Sequence, residues 1–144
     1  MSLKLTVRDE ELRAYLASEP SRNTAILEEW KLEGSQETEN QMRIFAPIRT
    51  GTYRESIGST FTPKGFMTWP NVPYAKIVEE GSAPHTIKPK NAKALRWHNN
   101  WGAPIFARRV KHPGTEGQHV VRRTAEQIRP VLAQLYRMIW RKHH

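Results

Sequence analysis

The chain has 144 residues, with 23 Lys/Arg against 14 Asp/Glu, a formal charge of +9 and no cysteine. That length suits a single domain burying roughly 68–70% of its unfolded surface without a staple, and the missing cysteine excludes disulfides, thiolate metal sites and cysteine nucleophiles. No apolar run approaches the ~20 residues of a membrane span, and Met1-Ser2-Leu3-Lys4 is charged too early for a signal peptide, so the chain is expected to be cytosolic when made.

Val7 to Ser18 reads as a short helix, with Leu12, Tyr15 and Leu16 on one face and Asp9, Glu10 and Glu11 in the first turn. Glu19-Pro20-Ser21 interrupts it. A longer helix then runs from about Ser21 or Asn23 to Phe45, on a stripe of Leu27, Trp30, Gly34, Thr38, Met42 and Phe45. Gly34 costs about 1 kcal/mol of helix propensity against Ala, so its place in the stripe implies close approach of another backbone. Ala46-Pro47 ends the helix.

Thr50-Gly51 marks a turn, and Tyr53 and Ile57 are spaced so that one helical turn points both inward. Ser59 to Pro63 and Phe66 to Trp69 read as a hairpin turning at Lys64-Gly65. Tyr74 to Glu80 suits a short helix closed by Gly81. Strands are expected over His85–Lys88, Ala94–Trp97 and Ile105–Lys111, with mobile loops over Gly81–Pro84 and Trp97–Pro104. The last helix spans about Gln118 to Arg141, on a stripe of Val121, Thr124, Ile128, Val131, Leu135 and Ile139, and Pro130 within it predicts a kink or break near Arg129. The expected architecture is α+β, one domain over 1–144. Helices at about 7–45 and 118–141 cover one face of a small antiparallel sheet at about 46–114.

The chemistry-bearing residues do not assemble into a catalytic set. The only aspartate is Asp9, no G-x-S-x-G or phosphate loop is present, and the six histidines form no H-E-x-x-H or similar pair. His143 and His144 are given no functional weight. No enzyme, cofactor or metal is therefore expected. Charge is more informative. Residues 1–45 hold six Lys/Arg and nine Asp/Glu, a net −3, whereas 46–144 hold seventeen and five, a net +12. An acidic front and a basic back suggest head-to-tail contact between copies, or an anionic partner for the back. Lys88, Lys90, Lys93, Arg96, Arg108, Arg109 and Lys111 crowd one subregion with Trp97 and Trp101, a composition that also suits non-specific nucleic-acid binding.

One ordered series stands out: Ala46-Pro47-Ile48-Arg49-Thr50-Gly51-Thr52-Tyr53-Arg54-Glu55-Ser56-Ile57, Tyr74-Ala75 with Val78-Glu79-Glu80-Gly81, His85-Thr86-Ile87-Lys88-Pro89, Lys93-Ala94-Leu95, and Val110-Lys111-His112-Pro113-Gly114. In order and spacing it resembles a family of phage tail components of long-tailed phages, the tail-completion, head–tail joining or minor tail proteins. The similarity covers roughly residues 24 to 135. It implies a structural virion protein of a phage or prophage, made in the host cytoplasm and placed at the neck or tail. There it would assemble as a ring with connector and tail-tube proteins, in non-specific contact with passing DNA. Glu28, Glu33 and Glu37 are then candidate acidic contacts for a neighbour's Arg49, Arg54, Arg108 or Arg109, and the seven basic residues above are candidate assembly or DNA-facing residues. A stand-alone nucleic-acid-binding module is the alternative.

Overall fold

The computed structural model describes residues 20–144, so the helix expected over 7–18 lies outside the described residues. The elements run α1 (Pro20–Phe45), α2 (Thr52–Glu55), β1 (Ile57–Thr62), β2 (Gly65–Pro70), α3 (Ala75–Glu80), β3 (Gly81–Ser82), β4 (His85–Ile87), β5 (Leu95–His98), β6 (Pro104–Ala107), β7 (Val110–His112), β8 (Thr115–Glu116) and α4 (Val120–Lys142). The α+β class is as expected. The described strands do not form one sheet, however: they pair as four separate antiparallel ladders, β1–β2, β3–β8, β4–β7 and β5–β6. Prolines 84, 89, 104 and 113 explain the fragmentation, because each lacks the N–H that a longer ladder needs. Contacts group the described chain into two compact units, one reaching Ala75 and resuming at His119, the other Lys76–Gln118.

In the first unit, α1 and α4 pack together over the inner face of the β1–β2 hairpin. The core is Ile26, Trp30, Phe66, Ile128, Leu132 and Ile139, with Leu27, Leu135 and Tyr136 against it. Each large apolar side chain buried here contributes about 1.5–3 kcal/mol. The Trp30 ring meets Phe66 at 5.5 Å between centroids, and its indole N–H donates to the Leu132 carbonyl at 3.1 Å, so the largest core side chain leaves no donor unpaired. Hairpin register pairs Ile57 with Pro70, Ser59 with Thr68 and Phe61 with Phe66, which sets those six on the inner face. Gly51, at φ +76°, caps α2, whose single turn buries Tyr53; Ile57, expected inward on the same turn, is buried instead as the first residue of β1.

Three expectations need correction here. Gly34 does admit a close neighbour, but the neighbours are side chains: an added Cβ would stand 3.0 Å from Leu132 Cδ2 and 3.1 Å from Phe66 Cε1. The buried stripe of α4 is Val120, Thr124, Ile128, Leu132 and Ile139, while Val131 is exposed. Positions three and four residues from Thr124 and Ile128 satisfy helical spacing equally, and packing on α1 selects the i±4 choice. Finally, α4 runs unbroken through Pro130. The proline sits on an exposed side of the helix, where losing one donor to the Glu126 carbonyl is tolerated.

Polar groups in this unit are paired in ways the sequence hides. Thr38 and Thr124 are buried, and each hydroxyl donates at 2.7 Å to the carbonyl four residues earlier. Lys31 is buried along its stem and extends its ammonium to Glu28 and to the Thr62 carbonyl at 3.1 Å. Glu29 receives Lys142 Nζ at 2.6 Å and His143 Nε2 at 2.8 Å, tying the end of α4 to α1. These bonds, His143 first and Lys142 next, hold the Glu29 carboxyl below its usual range, and Glu29 in turn raises the Lys142 ammonium above its own. His143 thus has a structural partner that its position at the chain end does not suggest.

Candidate assembly surface

The second unit starts in α3 and carries three of the four ladders. Gly81 closes α3 at φ +80° and opens β3, where a Cβ would run into the Thr115 carbonyl. Gly114, at φ +90°, meets the Ser82 carbonyl in the same way. Glycine is needed at both because two backbones touch while φ is positive. The Gln118 amide donates to the Val78 carbonyl at 2.7 Å, and the Thr115 amide donates to Ser82 Oγ at 3.2 Å. Residues 81–82, expected in a mobile loop, are therefore pinned as a strand against Thr115–Glu116. The expected strand over Ile105–Lys111 is broken at Arg108–Arg109 into β6 and β7, each with its own partner.

Register decides which side chains share a face. In β4–β7, His85 opposes His112 and Ile87 opposes Val110. The two imidazoles stack at 5.0 Å. His85 Nδ1 donates to the Ala83 carbonyl at 2.9 Å, and His112 Nδ1 accepts from the Gly114 amide at 3.0 Å, so the partners dictate opposite tautomers. In β5–β6, Leu95 with Ala107 and Trp97 with Ile105 form one face, and Arg96 with Phe106 and His98 with Pro104 form the other. Trp97 and Arg96, grouped by the sequence, thus lie on opposite faces. Arg96 instead stacks over Phe106, 5.8 Å from its centroid. The turn between these strands is closed by Asn99 Oδ1, which accepts from the Trp101 and Ala103 amides at 3.0 and 2.9 Å. Trp101 at its tip is 92% exposed.

This unit buries none of its apolar side chains. Its only buried residue is Glu79, while Ile77, Ile87, Trp97, Trp101 and Phe106 are all exposed. A two-stranded ladder is marginal in water unless something covers an apolar face, and exposed aromatics on such ladders mark a surface that a partner covers.

All seven basic candidates, Lys88, Lys90, Lys93, Arg96, Arg108, Arg109 and Lys111, lie in this unit and are exposed, and none has an ion-pair partner among the described residues. The acidic candidates divide. Glu28 is exposed but already holds Lys31 of its own chain, whereas Glu33 and Glu37 are exposed on α1 and make no ion pair among the described residues. Arg49 is exposed; Arg54 is half-buried with its Nε enclosed, which ill suits a surface contact. Among the described residues no group of three His, Asp or Glu could hold a metal ion, and no helix is long and apolar enough to cross a membrane.

No protein-family model, curated protein or solved structure matches the chain.

Proposed function

We propose that the protein is a structural component of a phage or prophage virion, completing the tail or joining it to the head by ring assembly. Its contacts are with copies of itself and with connector and tail-tube proteins. The observation that carries this reading is the unit Lys76–Gln118, which exposes Trp97, Trp101 and Phe106 and at most half-buries its apolar side chains, such as Val78, Leu95, Ile105 and Val110. Such a surface gains its hydrophobic stabilisation on association. The later blocks of the ordered motif series fall on elements of this surface, α3 and its Gly81 close, β4, β5, and β7 with the Gly114 turn, while the first block, residues 46–57, lies in the first unit. Exposed Glu33 and Glu37 on α1 and the exposed cations of the second unit, none in an ion pair among the described residues, supply the unlike patches that a repeating head-to-tail contact requires. The role requires no catalysis, cofactor or metal.

The test is co-expression with phage connector and tail-tube proteins from the same genome, followed by mass photometry and cryo-microscopy. Rings of this chain, alone or seated on a partner, are expected. A chain that stays monomeric and joins neither partner refutes the reading.

A further inference from the structure

We infer that the corner where β6 passes into β7 binds nucleic acid, holding backbone phosphates with Lys88, Lys93, Arg108 and Arg109 while Phe106 and Trp101 offer stacking surfaces for bases. This goes beyond the assembly role and does not depend on it. Register brings the four cations together. Ile87 pairs with Val110 at the end of β4–β7, so Lys88 and Arg109 lie one step past it. Leu95 pairs with Ala107 at the end of β5–β6, so Ala94 and Arg108 lie one step past that, and Lys93 one step further. Like charges gathered across paired strands repel, and all four side chains are exposed with no carboxylate in ion-pair reach among the described residues.

No carboxylate of the unit forms an ion pair with them among the described residues, and the unit has few. Its carboxylates are Glu79, Glu80 and Glu116, of which Glu79 is buried and Glu80 pairs with Lys76 at 3.7 Å. An anionic ligand relieves that repulsion. A second copy's α1 offers Glu33 and Glu37, its exposed carboxylates without an ion pair among the described residues, so a head-to-tail contact leaves part of the four-cation charge for a further anion. A phosphate backbone offers one charge per nucleotide and is sequence-independent. Next to the corner, Phe106 is 62% exposed under the Arg96 guanidinium, and at the far tip of the same β5–β6 ladder Trp101 is 92% exposed, in line for a strand that runs along the ladder. Flat exposed rings next to cations recognise stacked bases as well as phosphates.

The experiment is fluorescence anisotropy of the full chain with a labelled oligo-dT and a mixed-sequence duplex of equal length, between about 50 and 200 mM salt. Binding to oligo-dT is expected at low salt, with log K falling against log salt at a slope of about −3 for four neutralised phosphates on a single strand. The variant Lys88→Gln, Lys93→Gln, Arg108→Gln, Arg109→Gln is expected to bind at least about tenfold more weakly and to lose most of that slope. A control removing the same charge from exposed sites of the other unit, Lys64→Gln, Arg129→Gln, Arg137→Gln, Arg141→Gln, is expected to keep both. Trp101→Ala is expected to weaken oligo-dT more than duplex. Circular dichroism checks that the variants fold, and Arg108→Gln, Arg109→Gln alone replaces the fourfold variant if that one does not. Absence of binding at low salt overturns the proposal, and so does equal loss in the control. A corner variant that loses self-association, from a native chain that never binds oligonucleotide, assigns the corner to a second copy instead.

Discussion

Replacing Gly34 by alanine sets two opposing effects of similar size against each other. In a helix interior the change gains about 1 kcal/mol, because glycine loses more backbone freedom on folding. The new methyl would stand 3.0 Å from Leu132 Cδ2 and 3.1 Å from Phe66 Cε1. Both neighbours are held: Leu132 is 1% exposed, and the Phe66 ring is packed on Trp30. Overpacking of this kind costs about 1–3 kcal/mol, so Gly34→Ala is expected to destabilise by about 1 kcal/mol despite its better propensity. The cause is isolated by a double-mutant cycle. Leu132→Ala alone costs about 2–5 kcal/mol, but it removes the closer obstacle, so adding Gly34→Ala in that background should be neutral or stabilising. The expected coupling is about 1–2 kcal/mol, read from urea unfolding followed by far-ultraviolet circular dichroism. Equal destabilisation in both backgrounds, or a gain of about 1 kcal/mol in the native chain, refutes the packing argument.

Gly81→Ala puts a Cβ on a residue at φ +80° and against the Thr115 carbonyl, so it should cost at least about 1–3 kcal/mol of local stability, seen as faster amide exchange in β3 and β8. Lys31→Met keeps the buried aliphatic stem and loses the bonds to Glu28 and Thr62; about 1 kcal/mol of destabilisation is expected, against about 2 for Lys31→Ala, which also loses the packing. The depressed Glu29 carboxyl contributes stability that is present above its ordinary value of 4.5 and lost as pH falls through the lower value of the folded state. The raised Lys142 ammonium contributes stability that is present below 10.5 and lost as pH climbs past its folded value. Thermal unfolding of Glu29→Gln should therefore lack part of the native chain's loss at both extremes. Trp101→Ser should change stability by less than about 0.5 kcal/mol, since the side chain touches almost nothing in the monomer, yet it should reduce assembly with partner proteins; unimpaired rings would remove Trp101 from the contact surface.

Much of the first unit is legible in the sequence because its signals are local and periodic. The α1 stripe of Trp30, Gly34, Thr38 and Met42, the inward Tyr53, and the β1–β2 hairpin each follow from spacing and turn residues within a dozen positions. Ile26, fully buried, lies outside the expected stripe although it precedes Trp30 by four residues. The face of α4 was ambiguous for the same reason: neighbouring apolar residues offer two helical stripes, and only α1 distinguishes them.

The candidate surface is legible in composition and not in arrangement. Its seven cations, two tryptophans and punctuating prolines are visible in the chain. Cross-strand register is a non-local property, and a one-residue step exchanges the faces of a strand. Only the folded chain therefore sets Arg96 opposite Phe106 and stacks His85 on His112. Likewise, the sequence alone determines that Glu28, Glu33 and Glu37 are available charges on one helix. Tertiary packing decides that Glu28 is spent on a buried lysine of its own chain while the other two form no ion pair among the described residues, because ion pairing depends on a few ångströms of distance that residue spacing does not specify.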